Sequence, residues 1–213
     1  WVFSEPEPLM GCMRMYEVYL AADALYEGRV TVPVLWDKKL GTIVNNESAE
    51  IIRMLNSQFS DLTGDTQDFY PERYRSEIDA INDRIYHDIN NGVYKTGFAT
   101  TQAVYDEEYS RVFAALDWLE ERLTQQTFLL GDSVTEADWR LFTTLVRFDS
   151  VYHGHLKLNR QKLSEFPRLS DYVERLTAVP GVSKTINQDH IKAHCYGSHT
   201  SINPTGTVPL GPA

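Results

Sequence analysis

The chain has 213 residues, 42% of them hydrophobic and 12% aromatic, with 30 acidic against 20 basic side chains and a net charge of −10. That is enough apolar material for one sizeable core or two small ones, while the lack of any Lys/Arg block argues against a nucleic-acid partner. No stretch approaches the ~18 apolar residues of a membrane span, residues 1–8 carry no basic and apolar leader, and two cysteines, Cys12 and Cys195, are too few for a disulfide framework, so no membrane partner and a cytoplasmic setting are expected.

The first ordered signal is residues 29–36, Arg-Val-Thr-Val-Pro-Val-Leu-Trp, β-branched and short, which predicts a buried strand. Pro33 within it cannot donate a ladder hydrogen bond, which points to an edge position or a cis peptide placed for a backbone contact. Residues 37–41 read as a turn, Thr42–Val44 as a second strand, and a helix follows from about Glu47 with Ile51, Ile52, Met54 and Leu55 on one face.

Beyond a polar stretch at 60–67, Ile78, Ile81, Ile85 and Ile89 recur at helical spacing. Residues 90–98, Asn-Asn-Gly-Val-Tyr-Lys-Thr-Gly-Phe, read as a non-helical insert. A long helix then carries Tyr105, Tyr109, Val112, Leu116, Leu119 and Leu123. Another begins near Thr135, where Thr135 and Asp138 form a short capping box, and a further one carries Leu169, Tyr172, Val173 and Leu176 before Pro180-Gly181 stops it. From Gly197 onward the Ser/Thr/Gly/Pro-rich tail reads as irregular. The layout is α+β and mostly α: a small α/β piece over residues 1–63, then an all-helical domain over 64–213.

Several blocks occur together in one order: Trp1; residues 29–37; Asn46-Glu47-Ser48 at a helix start; residues 90–99; residues 145–149; Asp189-His190-Ile191; and Ile202-Asn203-Pro204-Thr205-Gly206. Together they resemble the glutathionyl-hydroquinone reductases, the Xi class of the glutathione transferases, over nearly the whole chain. The resemblance implies a partial thioredoxin-like domain followed by a helical transferase domain, glutathione as co-substrate without a metal, and a homodimer.

It also implies roles. Trp1, Arg29, Val32, Glu47 and Ser48 would bind glutathione, Val32 through its backbone and the Glu47-Ser48 pair at the γ-glutamyl end. The physics agrees, since a helix N-terminus suits a carboxylate and Glu47 suits an amine. Tyr94 would give a proton to the departing aromatic carbon, and Tyr152 would help lower the pKa of a cysteine nucleophile. In the family that cysteine lies in a Cys-Pro-Trp-Ala motif ahead of the residue matching Trp1. No such motif stands in these 213 residues, which do not begin with Met and suggest a trimmed chain, so the nucleophile is expected upstream and the chain alone is expected to be inactive. Where the family has adjacent tyrosines near its C-terminus, this chain has Cys195-Tyr196, and Cys12 reads as an incidental thiol.

Other readings are a conventional conjugating transferase or lyase, against which residues 90–95 argue, and a non-catalytic module used for assembly. His190, His194, Cys195 and His199 invite a metal reading, and His190 and His194 sit one helical turn apart, a spacing that binds zinc. No acidic partner or second thiol stands at a suitable spacing, so no metal is expected; His153 and His155 read as loop packing beside Tyr152.

Overall fold

The computed structural model describes residues 2–211, so Trp1 lies outside the described residues. The chain divides into two compact units, Trp1–Asp68 and Phe69–Ala213.

The first unit is organised around a helix absent from the sequence reading, α1 (Met15–Ala22). The Glu17 carboxylate accepts from the Met13 and Arg14 amides, which supplies partners at the helix start. Met15, Val18 and Tyr19, spaced one turn apart, form the buried face, with Phe3, Val34, Trp36 and Ile43 packed on it. The hairpin follows as β1 (Leu35–Asp37) and β2 (Thr42–Asn45), antiparallel, with a register irregularity between Leu35 and Trp36. Its turn is built by Asp37, whose carboxylate accepts from the Lys39 and Leu40 amides, and by Gly41 at φ +65°, a conformation that costs glycine nothing. Of the strand expected over residues 29–36, only Leu35 and Trp36 lie in β1, which runs on to Asp37 of the expected turn. The Thr31 backbone takes its hydrogen bonds from the Tyr19 hydroxyl instead of a ladder, and the Val32–Pro33 peptide is cis. Helix α2 (Ser48–Ser57) starts where expected, but of its apolar face only Ile51 is buried and Leu55 is exposed. A single turn, α3 (Ser60–Thr63), closes the unit at Gly64.

The second unit is helical: α4 (Arg75–Ile85), α5 (Gly92–Gly97), α6 (Gln102–Arg122), α7 (Glu136–Leu145), α8 (Pro167–Thr177) and α9 (Gln188–Ser198). Ile78, Ile85, Ile89, Leu116, Leu119, Leu141 and Phe148 are fully enclosed in one core. Asp138 lies in it as the buried brace of α7, accepting from the Thr135 amide and hydroxyl, the Leu129 amide and the Tyr172 hydroxyl. Burial outweighs these donors, so its carboxyl is pushed up.

Two segments depart from the sequence reading here. Residues 90–98 are not a non-helical insert: a π-turn (Tyr86–Asn90) continues α4 and leads into α5. The two glycines that suggested a loop are close-packing positions. A Cβ on Gly92 would meet Val112 at 2.9 Å, and one on Gly97 would meet Leu156 at 2.3 Å. Helix α9, which the sequence reading did not include, takes in only Gly197 and Ser198 of the tail, and the described residues from His199 on are irregular as expected; Asn187 caps the helix by accepting from the His190 amide. A second π-turn, Phe148–Tyr152, follows α7. Among the described residues no helix is long and apolar enough to cross a membrane.

Candidate functional site

In the first unit, Tyr19 links two segments. Its hydroxyl donates to the Thr31 carbonyl at 2.9 Å, and the Asn46 amide group donates both to that hydroxyl (3.0 Å) and to the Thr31 hydroxyl (3.1 Å). Thr31 precedes Val32 and Asn46 precedes Glu47, so one small network sets Val32 against the start of α2. Among the described residues no hydrogen bond involves the Val32 backbone, and Val32 is exposed. The Glu47 amide donates to Asn45 at 2.6 Å, and its side chain makes no capping bond, so the carboxylate is left outward at the helix start. Ser48 is exposed beside it. Arg29 is exposed two residues before Thr31, with its carbonyl held by the Tyr26 hydroxyl. The arrangement offers a free backbone edge, a helix N-terminus and an acidic side chain within one short region. Sequence reasoning found Val32, Glu47 and Ser48 but not Tyr19, Thr31 and Asn46, which hold them. The amide side chain directly before Glu47-Ser48 was the available signal.

In the second unit, Tyr94 on α5 and Tyr152 at the end of the second π-turn come together, although 58 positions apart. Their hydroxyls are 3.3 Å apart and their rings meet edge to face at 5.8 Å. Their exposures differ sharply: Tyr152 is 2% exposed and Tyr94 is 37% exposed. Burial, and then the neighbouring Tyr94, push the Tyr152 phenol well above the ordinary tyrosine range, so it stays neutral at any physiological pH. A buried neutral phenol can donate to the oxygen of a more accessible one and stabilise it when it loses its proton.

The wall continues through Phe98, His199, His155 and Tyr196. His199 meets the Phe98 ring at 5.0 Å and the Tyr94 ring at 6.2 Å, and His155 lies on Tyr196 at 4.3 Å. Neither histidine was singled out for this place from the sequence, where His199 belonged to a metal pattern and His155 to a loop. Among the described residues no group of three or more metal-ligating side chains is gathered.

Both thiols are unlike activated nucleophiles. Cys195 is buried on α9, and burial raises its pKa against a weaker opposing effect of Arg147. Burial, with Glu7 and Glu17 nearby, also holds the Cys12 thiol up.

Residues 102–175 match the family model described as glutathione S-transferase, C-terminal domain. The chain is 55% identical over 208 residues to a glutathionyl-hydroquinone reductase, PcpF, of Sphingobium chlorophenolicum, covering 98% of this chain and 66% of that protein. It superposes with a TM-score of 0.95 on the glutathione-bound structure of YqjG, a glutathione transferase homolog from Escherichia coli K-12, at 49% identity, covering 97% of this chain and 67% of that one. The glutathione-S-transferase Xi from Phanerochaete chrysosporium gives a TM-score of 0.94 at 47% identity, covering 97% and 68%. The chain thus spans about two thirds of the length of the relatives it matches.

Proposed function

The chain belongs to the Xi class of glutathione transferases, the glutathionyl-hydroquinone reductases, and on that premise we propose that the protein reduces glutathionyl-hydroquinones to hydroquinones at the expense of glutathione. The observation that carries this reading is the pair of phenols, Tyr94 accessible and Tyr152 buried, with hydroxyls 3.3 Å apart. Cleaving an aryl carbon–sulfur bond needs a proton at carbon, and this pair is suited to supply one.

The reaction balances as follows. A cysteine thiolate attacks the glutathionyl sulfur, forming a cysteinyl–glutathione disulfide. The aryl carbon takes the electron pair of the broken bond and the proton of Tyr94. Tyr152 helps lower the pKa of the cysteine and, neutral and donating, stabilises the phenolate left on Tyr94, which is reprotonated from solvent. A second glutathione thiolate then attacks the disulfide, releasing oxidised glutathione and the enzyme thiolate. Glutathione is held by the Val32 backbone, by Glu47 facing the γ-glutamyl amine, and by Ser48 with the α2 N-terminus at the γ-glutamyl carboxylate; Trp1 and Arg29 complete the set. The raised thiols of Cys12 and Cys195 suit neither for the nucleophile, and we assign it to a Cys-Pro-Trp-Ala cysteine ahead of Trp1. A homodimer in the cytoplasm is part of the same proposal, and the two free cysteines fit a reducing compartment.

The test is release of hydroquinone by the full-length protein. Tyr94→Phe should slow turnover on the order of a hundredfold or more while glutathione affinity stays nearly intact. Replacing the upstream cysteine by serine should abolish turnover, and residues 1–213 alone should show none. Unchanged turnover in Tyr94→Phe would remove the phenol pair from the chemistry.

A further inference from the structure

The wall beside Tyr94 includes two imidazoles to which the reaction above gives no role. His155 lies just after Tyr152, and His199 lies just beyond α9. His155 Nε2 and His199 Nδ1 are 3.0 Å apart, with ring planes 13° from parallel. His155 is pinned further by Tyr196 against its face and by the Cys195 backbone, which favours a proton on the ring. A neutral imidazole donates from one nitrogen and accepts at the other. With that proton on Nδ1, the nitrogen not turned to His199, the His155 Nε2 accepts. His199 then donates from Nδ1, and its own Nε2 is left as a lone pair.

That lone pair is available. His199 Nε2 has no hydrogen-bond partner among the described residues, yet it is not sealed from solvent. Burial, followed by His155 and His194, holds the imidazole below its ordinary pKa, so it is neutral at pH 7. Its ring meets Tyr94 and Phe98 edge to face, which places it at the margin of the space in front of the accessible phenol.

We infer that His199 is a specificity-determining residue: its Nε2 accepts a hydrogen bond from a phenolic hydroxyl of the aryl group that the glutathione conjugate presents to Tyr94. This rests on the reading of the Tyr94 site as the aryl site. It explains why a hydroquinone in particular would be taken. A ring carrying free hydroxyls satisfies the acceptor, whereas a ring whose hydroxyls are capped displaces water from Nε2 and returns nothing. His155 acts through His199, as a positioning residue that fixes which nitrogen carries the proton.

The experiment uses the full-length protein with its upstream nucleophile changed to serine, so that bound conjugate is not consumed. A glutathionyl-hydroquinone and its di-O-methyl counterpart are titrated calorimetrically into this parent, His199→Phe and His199→Gln. The parent should bind the free hydroquinone conjugate about tenfold more tightly, one hydrogen bond's worth of preference. His199→Phe, which keeps a ring against Phe98, should bind the two about equally, and His199→Gln should keep part of the preference. All three should bind glutathione alike. A preference that survives in His199→Phe, or a loss shared equally by both conjugates, overturns the inference. If both conjugates bind the parent without preference, the inference fails while the aryl-site reading stands; if neither binds the parent, both fail.

Discussion

The two units hold their functional groups by different means. The second encloses Ile78, Ile85, Ile89, Leu116 and Leu119 completely, whereas the central cluster of the first has only Met15, Val18 and Tyr19 below the surface. A segment of Trp1–Asp68 has little apolar surface to bury. Its proposed glutathione contacts are accordingly set by polar ties, Tyr19 with Thr31 and Asn46, and by carboxylates that gather amides. The proposed aryl contacts are set by a packed apolar core. Apolar packing is non-directional but rigid in aggregate, while a few hydrogen bonds place a backbone edge with little mass behind it.

The largest expected effect falls on the core-built unit. Leu116→Ala should cost about 2–5 kcal/mol of unfolding free energy, since the site is fully enclosed; denaturant titration would measure it. A loss below about 1 kcal/mol would mean that the core relaxes easily, and the contrast between units would weaken. The middle effect falls on the polar tie. Asn46→Ala removes both donors to Tyr19 and Thr31 and should cost about 1–2 kcal/mol. It should appear as faster amide exchange over residues 31–48 and weaker glutathione binding, with exchange in α6 and α7 unchanged.

The smallest effect is one of sign. Backbone donation, led by the Cys12 amide, lowers the Glu7 carboxyl below its ordinary 4.5, so its stabilisation is present above that pH and is lost as pH falls through the lowered value. Asp138 is raised above its ordinary 3.8 by burial, so the cost of its charge grows as pH rises from there through the raised value. Acidification should therefore loosen the Cys12 amide, bonded to Glu7, while the Leu129 amide, bonded to Asp138, keeps its protection. Exchange measured by NMR across the carboxylate range would show it, and Asp138→Asn should flatten the response of the second unit alone.

How far the sequence could be read follows the same division. The helices of the second unit were legible wherever a full apolar stripe repeats, as in Ile78 to Ile89. α1 was not, because Met-Tyr-Glu-Val-Tyr-Leu-Ala-Ala is apolar on nearly every face and shows no period. α9 carries histidines and a late glycine where a stripe would be expected. α5 looked like a loop because its glycines serve close approach, a need visible only once Val112 and Leu156 are in place. The strand at 29–36 was drawn too long because β-branched residues signal extension whether or not a ladder exists. Of the site residues, Tyr94 and Tyr152 came from family resemblance alone. With 12 tyrosines in the chain, spacing could not have paired two that lie 58 positions apart.

Each of the two phenols is reached through a π-turn: Tyr86–Asn90 precedes Tyr94, and Phe148–Tyr152 ends on Tyr152 itself. A π-turn holds one residue more than the α-helical repeat, which advances everything downstream by roughly 100° of helical phase. The extra residue is thus an angular setting. Deleting one position from either turn would restore an ordinary helix and its hydrogen bonding, yet it would swing the following tyrosine about a quarter-turn away from its partner. Among descendants of this fold, a length change of one residue at either place would separate the phenols more surely than most substitutions at the tyrosines' neighbours.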